Sequence, residues 1–263
     1  GLGSRWMWCS KLCPWRSLAA ASASSVAWMS CRSCATEESA SPPPRAFVDH
    51  GRTKEVASTR WLKLQTLTYR DDTGRDRRWD SVSRTTRRNS IHTAGVDAVV
   101  ILTLLRSSSS PGKVETLLVQ QFRPPVDCST IELPAGLVDE GETVEKAALR
   151  ELKEETGYTG SILQSSGVLT MSPGLCDETI RLMVVDVDLD SRENQSPKQQ
   201  LDEVERISVR RVALDHLLQE LQALQAEGCM PIAGLHFLAV GLSLGMQIGK
   251  EGQSPASPLA EVS

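Results

Sequence analysis

Alternating apolar and polar residues mark the first regular structure along the chain. Leu62, Leu64 and Leu67 are separated by polar residues, the turn-forming sequence Asp-Asp-Thr-Gly follows at 71–74, and a returning run occupies 77–84. Two such segments joined by a short turn are typical of a β-hairpin. We therefore predict a hairpin in this part of the chain.

Longer apolar runs predict buried strands. The run at 96–105 is almost continuous, and a second run at 116–122 follows it across the polar loop 107–113. Continuous apolar segments of this length, bounded by turn residues, are typical of strands in the interior of a sheet. Shorter segments predict further strands at 131–133, 180–187 and 204–209.

Two other segments are predicted to be helical. These are 143–156 and 214–226, and in the second the leucines recur at helical spacing. Strands interspersed with helices indicate a layered α/β or α+β domain. A third apolar segment, 230–248, approaches the length of a membrane span, but a proline, three glycines and polar residues interrupt it. We predict a helix there, packed on the domain or at a subunit interface.

The first of these helices has well-defined ends and is predicted over residues 144–156. Thr143 is a favourable N-cap, Glu145 complements the helix dipole in the first turn, and Gly157 is a favourable left-handed terminator. Start and stop signals at the expected distance therefore limit the helix at both ends.

Three carboxylates share one face of this helix. Glu151, Glu154 and Glu155 stand three and four residues apart, and like charges at this spacing repel unless a cation lies among them. Oxygen ligands favour a hard divalent ion, Mg²⁺ or Mn²⁺, over zinc. Such an ion bridges phosphate oxygens and activates water, which is what cleavage of a diphosphate requires. Arg150 either holds a carboxylate or positions a phosphate.

The segment 136–158 resembles the motif of the Nudix hydrolases. That motif is a glycine, five residues, a glutamate, seven residues, and then Arg-Glu-aliphatic-x-Glu-Glu-x-Gly with a final bulky residue. The chain matches every position, except that Tyr158 stands where an aliphatic residue is usual. The resemblance implies an α/β fold of the Nudix type. This is an α/β/α sandwich with a mixed sheet, preceded by a small N-terminal antiparallel β-sheet domain.

Segments outside the motif resemble one branch of this family, the ADP-sugar diphosphatases or ADP-ribose pyrophosphatases. In that branch an N-terminal antiparallel sheet helps to build a homodimer, and both subunits line each active site. The resemblance therefore implies a homodimer. The matching segments are Arg-Trp-Leu-Lys-Leu at 60–64, Trp-Asp-Ser-Val at 79–82, Gln-Phe-Arg-Pro-Pro at 121–125 and Glu-Leu-Pro-Ala-Gly at 132–136.

The resemblance also assigns the substrate contacts. It implies that Trp61 and Trp79 sandwich the adenine, that Arg84 and Arg123 hold the phosphates, and that Leu137 binds substrate. A base stacked on an aromatic ring gains about 1 to 3 kcal/mol, which suits exposed tryptophans on a hairpin. Alternatively, the tryptophans anchor the hairpin to the domain and Arg123 forms a surface salt bridge.

The same resemblance assigns the metal ligands. It implies that Glu151 and Glu155 bind the ion together with the backbone carbonyl of Ala135, and that Glu154 supports them. Mg²⁺ is the expected cofactor, with Mn²⁺ as the alternative.

The general base is expected on a loop before a late strand. Family members place this carboxylate on a mobile loop, here the polar segment 191–205. Matching Ile-Ser-Val at 207–209 without a gap puts Asp202 at the position of the base, whereas the expected residue type points to Glu203. Both stay candidates, and Glu205 is interpreted as a solvent-facing strand residue.

These residues predict hydrolysis of ADP-ribose or a related ADP-sugar to AMP and a sugar phosphate. The nearest alternative is another nucleotide, either a UDP-sugar or an oxidised purine nucleoside diphosphate, because stacking does not identify the base. A non-catalytic module that binds ADP-ribose is an alternative of another class. The complete set of motif carboxylates argues against it.

Composition and charge narrow the range of partners. The 263 residues carry a net charge of −4 at a sequence pI of about 5.7, so no basic field attracts duplex nucleic acid. A small nucleotide-sugar is the expected partner, and neither nucleic acid nor a membrane is. Four of the seven cysteines lie within residues 1–36 at spacings that suggest zinc, but nothing around them suggests a fold to hold the metal.

Four segments organise the chain. Residues 1–36 contain basic residues, no Asp or Glu, and an Ala/Ser-rich middle, which is typical of a mitochondrial transit peptide. Alternatively, the sequence extends upstream of the true start, and a cytoplasmic or nuclear location is then expected. The predicted segments are a disordered leader or transit peptide with linker at 1–46, an antiparallel β dimerisation region at 47–92, the Nudix domain at 93–249 and a disordered tail at 250–263.

Overall fold

The computed structural model describes residues 45–86 and 96–251. The predicted leader with its four cysteines and nearly all of the linker lie outside the described residues, as does the tail after residue 251. Within the described residues, no helix has the length and apolar character that crossing a membrane requires.

A small antiparallel sheet comes first in the chain. Its three strands are β1 (Phe47–Ser58), β2 (Leu62–Arg70) and β3 (Asp76–Arg84), in that order. The predicted hairpin is confirmed as β2 and β3, and its turn is closed by the Asp71 carboxylate, which accepts the backbone N–H groups of Thr73 and Arg75 at 2.9 Å each. The pattern of apolar residues did not predict β1 as a separate strand, because most of its side chains are exposed and few are apolar.

A nine-stranded mixed sheet forms the centre of the main domain. Its path runs β12-β6-β5-β4-β10-β8, with β11 paired to β5, β7 to β4 and β9 to β10. The central pair β4 and β10 is parallel, and most other pairs are antiparallel. The strands are β4 (Ala98–Arg106), β5 (Glu115–Arg123), β6 (Cys128–Glu132), β7 (Ala135–Leu137), β8 (Ser161–Ser165), β9 (Leu169–Thr170), β10 (Thr179–Asp188), β11 (Ser208–Ala213) and β12 (Met230–Pro231).

Helices cover both faces of this sheet. Helix α1 (Val144–Thr156) packs on one face, and helices α2 (Leu217–Ala226) and α3 (Ala233–Glu251) pack on the other. Each face has its own cluster of buried apolar residues, so the predicted α/β/α arrangement is confirmed. Tyr158 is buried in the α1 cluster, which explains why a bulky aromatic residue is accepted at this position.

Two predicted element limits are wrong. The strand expected at 204–209 begins only at Ser208, because Val204 lies in a turn with 90% of its surface exposed. The helix expected at 214–226 begins with a 3₁₀ turn over Leu214–His216 before α2. The helix predicted within 230–248 is confirmed as α3.

Candidate active site

Helix α1 carries the acidic residues, and its ends are those predicted. The Thr143 hydroxyl accepts the backbone N–H of Lys146, and Gly157 ends the helix in the left-handed conformation with φ +78°. The apolar side of α1 is buried against the sheet through Ala148 and Leu152. The rotation of the helix about its axis is therefore fixed, which directs Glu151 and Glu155 towards strand β7.

Gly136 allows one of these carboxylates to lie against β7. A Cβ atom at Gly136 would fall 1.9 Å from the carboxyl carbon of Glu151 and within 2.3 Å of both its oxygens. No side chain fits in that space, since heavy atoms do not approach within 3 Å. The glycine of the motif therefore forms the cradle in which the Glu151 carboxylate sits.

Glu155 is the most deeply placed of the three carboxylates. It is 5% exposed, and its Oε2 accepts the backbone N–H of Ala135 at 3.0 Å. Burial is the largest cause that raises the pKa of Glu155, and the nearby charges of Glu151, Glu205 and Glu132 add to it; against the lowering effect of the Ala135 N–H, the pKa reaches about 8. A carboxylate in this position needs a positive partner to stay ionised at neutral pH.

Glu151 and Glu154 are placed differently from each other. Burial raises the pKa of Glu151, although its carboxylate accepts a hydrogen bond from Arg150. The side chain of Glu154 is 39% exposed and pairs with Arg150 at 3.0 Å. The structure thus brings Glu151 and Glu155 together at β7, whereas Glu154 lies at the edge of the site.

Arg150 uses all five of its N–H donors within the protein. Its Nε and Nη2 hold the two oxygens of Glu142 at 3.0 and 2.9 Å, Nη1 holds Glu151 and Glu154, and Nη2 also donates to the Leu137 carbonyl at 2.9 Å. Through these contacts Arg150 connects β7, the loop before α1 and the helix itself, and we call it a brace for that reason. Of the two roles considered from the sequence, the structure favours holding carboxylates.

The predicted phosphate contact Arg123 also holds a carboxylate. Its Nε and Nη2 donate to Glu132 at 2.7 and 2.8 Å, and the side chain is half-buried. Burial alone would raise the pKa of Glu132, but hydrogen bonds from Arg123 and Thr130 outweigh it and hold the pKa below its usual value. Arg123 has five donors and this carboxylate engages two, so donors are left for a phosphate. The charges of Glu155 and Glu178 also act on Arg123, which places it beside the α1 carboxylates.

The hairpin reaches the site through Arg84 and Trp79. Arg84 binds Glu178, just before β10, with nitrogen–oxygen distances of 2.6 and 2.7 Å. Trp79 is 47% exposed and its Nε1 donates to the Gly174 carbonyl at 3.3 Å. Both residues therefore contact the connection between β9 and β10.

The two remaining predicted substrate contacts are exposed. Trp61 is 57% exposed before β2, with the Arg60 guanidinium 4.4 Å from the centroid of its ring. Leu137 is 40% exposed at the end of β7. Each presents apolar surface that a base or sugar can cover.

The loop at 200–206 contributes carboxylates from the other side. Asp202 and Glu203 are exposed, whereas Glu205 is half-buried and its charge acts on both Glu151 and Glu155. The interpretation of Glu205 as a solvent-facing strand residue is wrong, because it precedes β11 and faces the site. Helical and strand periodicity carry no information about a loop of this kind, so the sequence offered no signal for it.

Comparisons with known proteins decide the family. A model described as the NUDIX domain matches residues 96–228. An ADP-ribose pyrophosphatase of Saccharomyces cerevisiae is 39% identical over 207 residues, which are 78% of this chain and 87% of that protein. An ADP-sugar pyrophosphatase of Mus musculus is 36% identical over 189 residues, which are 72% and 84%. The chain belongs to the Nudix hydrolase family.

A solved structure agrees on the Nudix fold. The crystal structure of an ADP compounds hydrolase superposes with a TM-score of 0.50 and covers 82% of this chain and 100% of its own, at 17% sequence identity. This likeness concerns the fold alone, and it confirms the predicted α/β/α sandwich with a mixed sheet.

Nudix hydrolases generally use divalent metal ions, and the α1 residues fit one. The Glu151 carboxylate beside Gly136, the buried Glu155 carboxylate and the adjacent Ala135 backbone provide hard oxygen donors in one place. Among residues 45–86 and 96–251, no group of three or more His, Cys, Asp or Glu side chains is arranged to hold a metal. The set implied by the resemblance is smaller, with two carboxylates and one carbonyl, and leaves coordination positions for substrate and water.

The last glycine of the Nudix motif joins α1 to the acidic loop. A Cβ atom at Gly157 would fall 2.3 Å from the backbone nitrogen of Lys198, and the residue has a positive φ. Gly157 therefore allows the chain at Lys198 to run directly across the end of the helix. This contact brings the loop that follows Lys198 to the carboxylates of α1.

Proposed function

We propose that this Nudix hydrolase cleaves the diphosphate bond of ADP-ribose and related ADP-sugars in the presence of Mg²⁺. Water is consumed, and the products are AMP and the sugar phosphate. Relatives named as an ADP-ribose pyrophosphatase and an ADP-sugar pyrophosphatase, both at more than 35% identity over most of the chain, support this substrate class.

The observation that carries the proposal is the approach of Glu151 and Glu155 to β7. The two carboxylates are crowded against a glycine and a backbone N–H; burial raises the pKa of both, and the charge of Glu151 adds to the rise at Glu155. Glu151, Glu155 and the Ala135 carbonyl would hold Mg²⁺, which supplies a Lewis acid for the phosphate oxygens and lowers the pKa of a bound water.

The other residues of the site orient the substrate and move the proton. Arg84 and Arg123 offer their remaining N–H donors to the negative oxygens of the diphosphate. A carboxylate of the 200–206 loop accepts the proton of the attacking water, whose oxygen forms the new bond to phosphorus while the bond to the bridging oxygen breaks. Glu205 joins Asp202 and Glu203 as a candidate for this base, because its charge already acts on Glu151 and Glu155.

The positions of the two tryptophans support a homodimer with shared sites. Trp79 lies opposite Leu67 in the β2–β3 register, and Trp61 precedes Leu67 by six residues. At about 3.3 Å per residue, the backbones of the tryptophans are roughly 20 Å apart along the sheet. Rings of one chain would have to close much of this distance to sandwich one base, since two rings that stack on the same base lie at most roughly 14 Å apart. Tryptophans from two copies of the chain would sandwich one adenine without that constraint.

The test is release of AMP from ADP-ribose by the purified full chain with and without Mg²⁺. Glu155→Gln is expected to lower kcat at least a hundredfold, while Glu145→Gln, an exposed substitution on the same helix, keeps the wild-type rate. A panel of ADP-ribose, UDP-sugars and oxidised purine nucleoside diphosphates ranks the substrates. A wild-type protein that binds ADP-ribose without releasing AMP, or an undiminished rate in Glu155→Gln, would refute the proposal.

A further inference from the structure

The loop at 200–206 is held together by its own hydrogen bonds. The backbone N–H of Glu205 donates to the Asp202 carbonyl at 3.0 Å, and the Asp202 N–H donates to the Glu205 carboxylate at 3.1 Å. Arg206 adds a hydrogen bond from Nη1 to the Glu203 carbonyl at 2.8 Å. Because all three acidic residues take part, the loop is one unit whose position depends on its two ends.

Both ends of this loop are joined by a single side chain, that of Gln199. Its Nε2 donates to the backbone carbonyl of Glu155 at 2.6 Å and to the carbonyl of Ile207 at 3.0 Å. Glu155 and Ile207 are both buried. The first carbonyl belongs to the last turn of α1, and the second immediately precedes β11. The two amide hydrogens of Gln199 therefore connect the catalytic helix to the point where the acidic loop returns to the sheet.

The end of α1 explains why such a donor is needed. The last carbonyls of a helix have no partner within the helix. Here the Glu154 carbonyl accepts the backbone N–H of Gln200 at 2.8 Å, and the Glu155 carbonyl accepts the Gln199 side chain. The close passage of Lys198 over Gly157 puts both donors within reach.

We propose that Gln199 is a positioning residue, which sets the distance between the acidic loop and the metal-binding carboxylates of α1. This inference rests on the proposed function, because it assumes that a carboxylate of the 200–206 loop accepts the proton from water. The Gln199 side chain donates to the backbone carbonyls of Glu155 and Ile207 and not to the Glu155 carboxylate, so its effect on catalysis passes through the loop.

The experiment compares three variants of the full chain. Gln199→Met keeps the length of the side chain and removes both donors, and Gln199→Lys restores N–H donors at the end of a flexible chain. Gln200→Met is the matched control, because Gln200 contributes its backbone N–H, which the substitution preserves. We expect Gln199→Met to lower kcat for ADP-ribose about ten- to a hundredfold with KM within about twofold, since misplacement of a catalytic group by about 1 Å has effects of this size.

The variant with lysine is expected to recover most of the lost kcat, and Gln200→Met is expected to match the wild type. A second measurement does not need turnover: hydrogen–deuterium exchange of the backbone amides at 201–206 should be at least about fivefold faster in Gln199→Met than in the control, because removal of the link favours local opening.

The outcomes separate this inference from the proposed function. A wild-type protein that releases no AMP contradicts the proposed function, and the exchange comparison alone then decides whether Gln199 holds the loop. An active wild type together with unchanged kcat in Gln199→Met overturns the inference and leaves the function in place. Equal losses in the methionine and lysine variants also overturn it, since the hydrogen bonds would then not be what matters.

Discussion

Replacement of Glu155 by glutamine should stabilise the metal-free protein while it abolishes activity. Glu155 is 5% exposed, and burial with three neighbouring carboxylates raises its pKa from 4.5 to about 8. Between these values the unfolded chain has lost a proton that the folded protein keeps. Folding therefore takes up a proton, and the free energy of unfolding falls as the pH rises from about 4.5 to 8. Glutamine is neutral throughout, and its side-chain oxygen can accept the same N–H from Ala135.

The magnitude follows from the difference between the two pKa values. Each pKa unit corresponds to about 1.4 kcal/mol, so at pH 7 the ionisable Glu155 costs the folded state about 3 kcal/mol relative to a neutral side chain. At pH 5 the same difference is below about 1 kcal/mol. The stabilisation by Glu155→Gln should therefore grow from pH 5 to pH 7, and a change of about 3 kcal/mol is large against the stability of a whole domain.

The assay is urea unfolding of wild type and variant at several pH values between 5 and 8, with EDTA present throughout. The chelator matters because a bound cation would stabilise only the wild type and hide the difference. Glu145→Gln is again the control, because Glu145 is exposed in the first turn of α1, and its loss should change stability by at most about 1 kcal/mol at every pH.

Two results would refute this reasoning. One is a wild-type stability that stays level or rises from pH 5 to pH 8 in EDTA, beyond what the control variant shows. The other is a Glu155→Gln variant that is no more stable than the wild type at pH 7. Either result would mean that the Glu155 carboxylate is already compensated in the metal-free protein, and the need for a cation at this position would disappear.

Three further substitutions test the local geometry. Gly136→Ala should lower kcat at least about a hundredfold, because its methyl group occupies the space of the Glu151 carboxylate, and steady-state kinetics would show this. Gly157→Ala should lower the free energy of unfolding by about 1 to 2 kcal/mol or more in urea titrations, because φ is +78° and the backbone at Lys198 is too close. Arg150→Lys keeps the charge but loses the planar guanidinium group that binds both oxygens of Glu142, so both kcat and thermal stability should fall. A variant with wild-type kinetics would show that these hydrogen bonds do not support the site.

The parts of the fold that follow from local physics could be predicted from the sequence. Helix α1 begins after Thr143 and ends at Gly157 as expected, since capping depends on a few neighbouring residues. The central strands were also predictable, because their burial on both faces produces continuous apolar runs. Strand β1 was not, because an exposed strand with mostly polar residues has no such pattern.

The contacts that build the site could be predicted only in part. Residue types and the motif indicated which carboxylates matter, but not that Gly136 is a cradle for Glu151, since that contact joins a strand to a helix fifteen positions away in the chain. The position of Glu205 near the α1 carboxylates could not be predicted from the sequence either. A loop has no periodicity, and the direction of its side chains depends on hydrogen bonds such as that from Asp202.

The pairing of charges across the site explains why Glu155 is the residue that needs a cation. Most of the other carboxylates around it already form an ion pair with the guanidinium group of an arginine. Glu155 accepts one backbone N–H, and within the described residues no arginine or lysine forms an ion pair with it. A positive charge that enters the site therefore meets an uncompensated carboxylate at its deepest point, with Glu151 beside it. The pairs around Glu155 are Arg123–Glu132, Arg84–Glu178, Arg150–Glu142, Arg150–Glu151 and Arg150–Glu154.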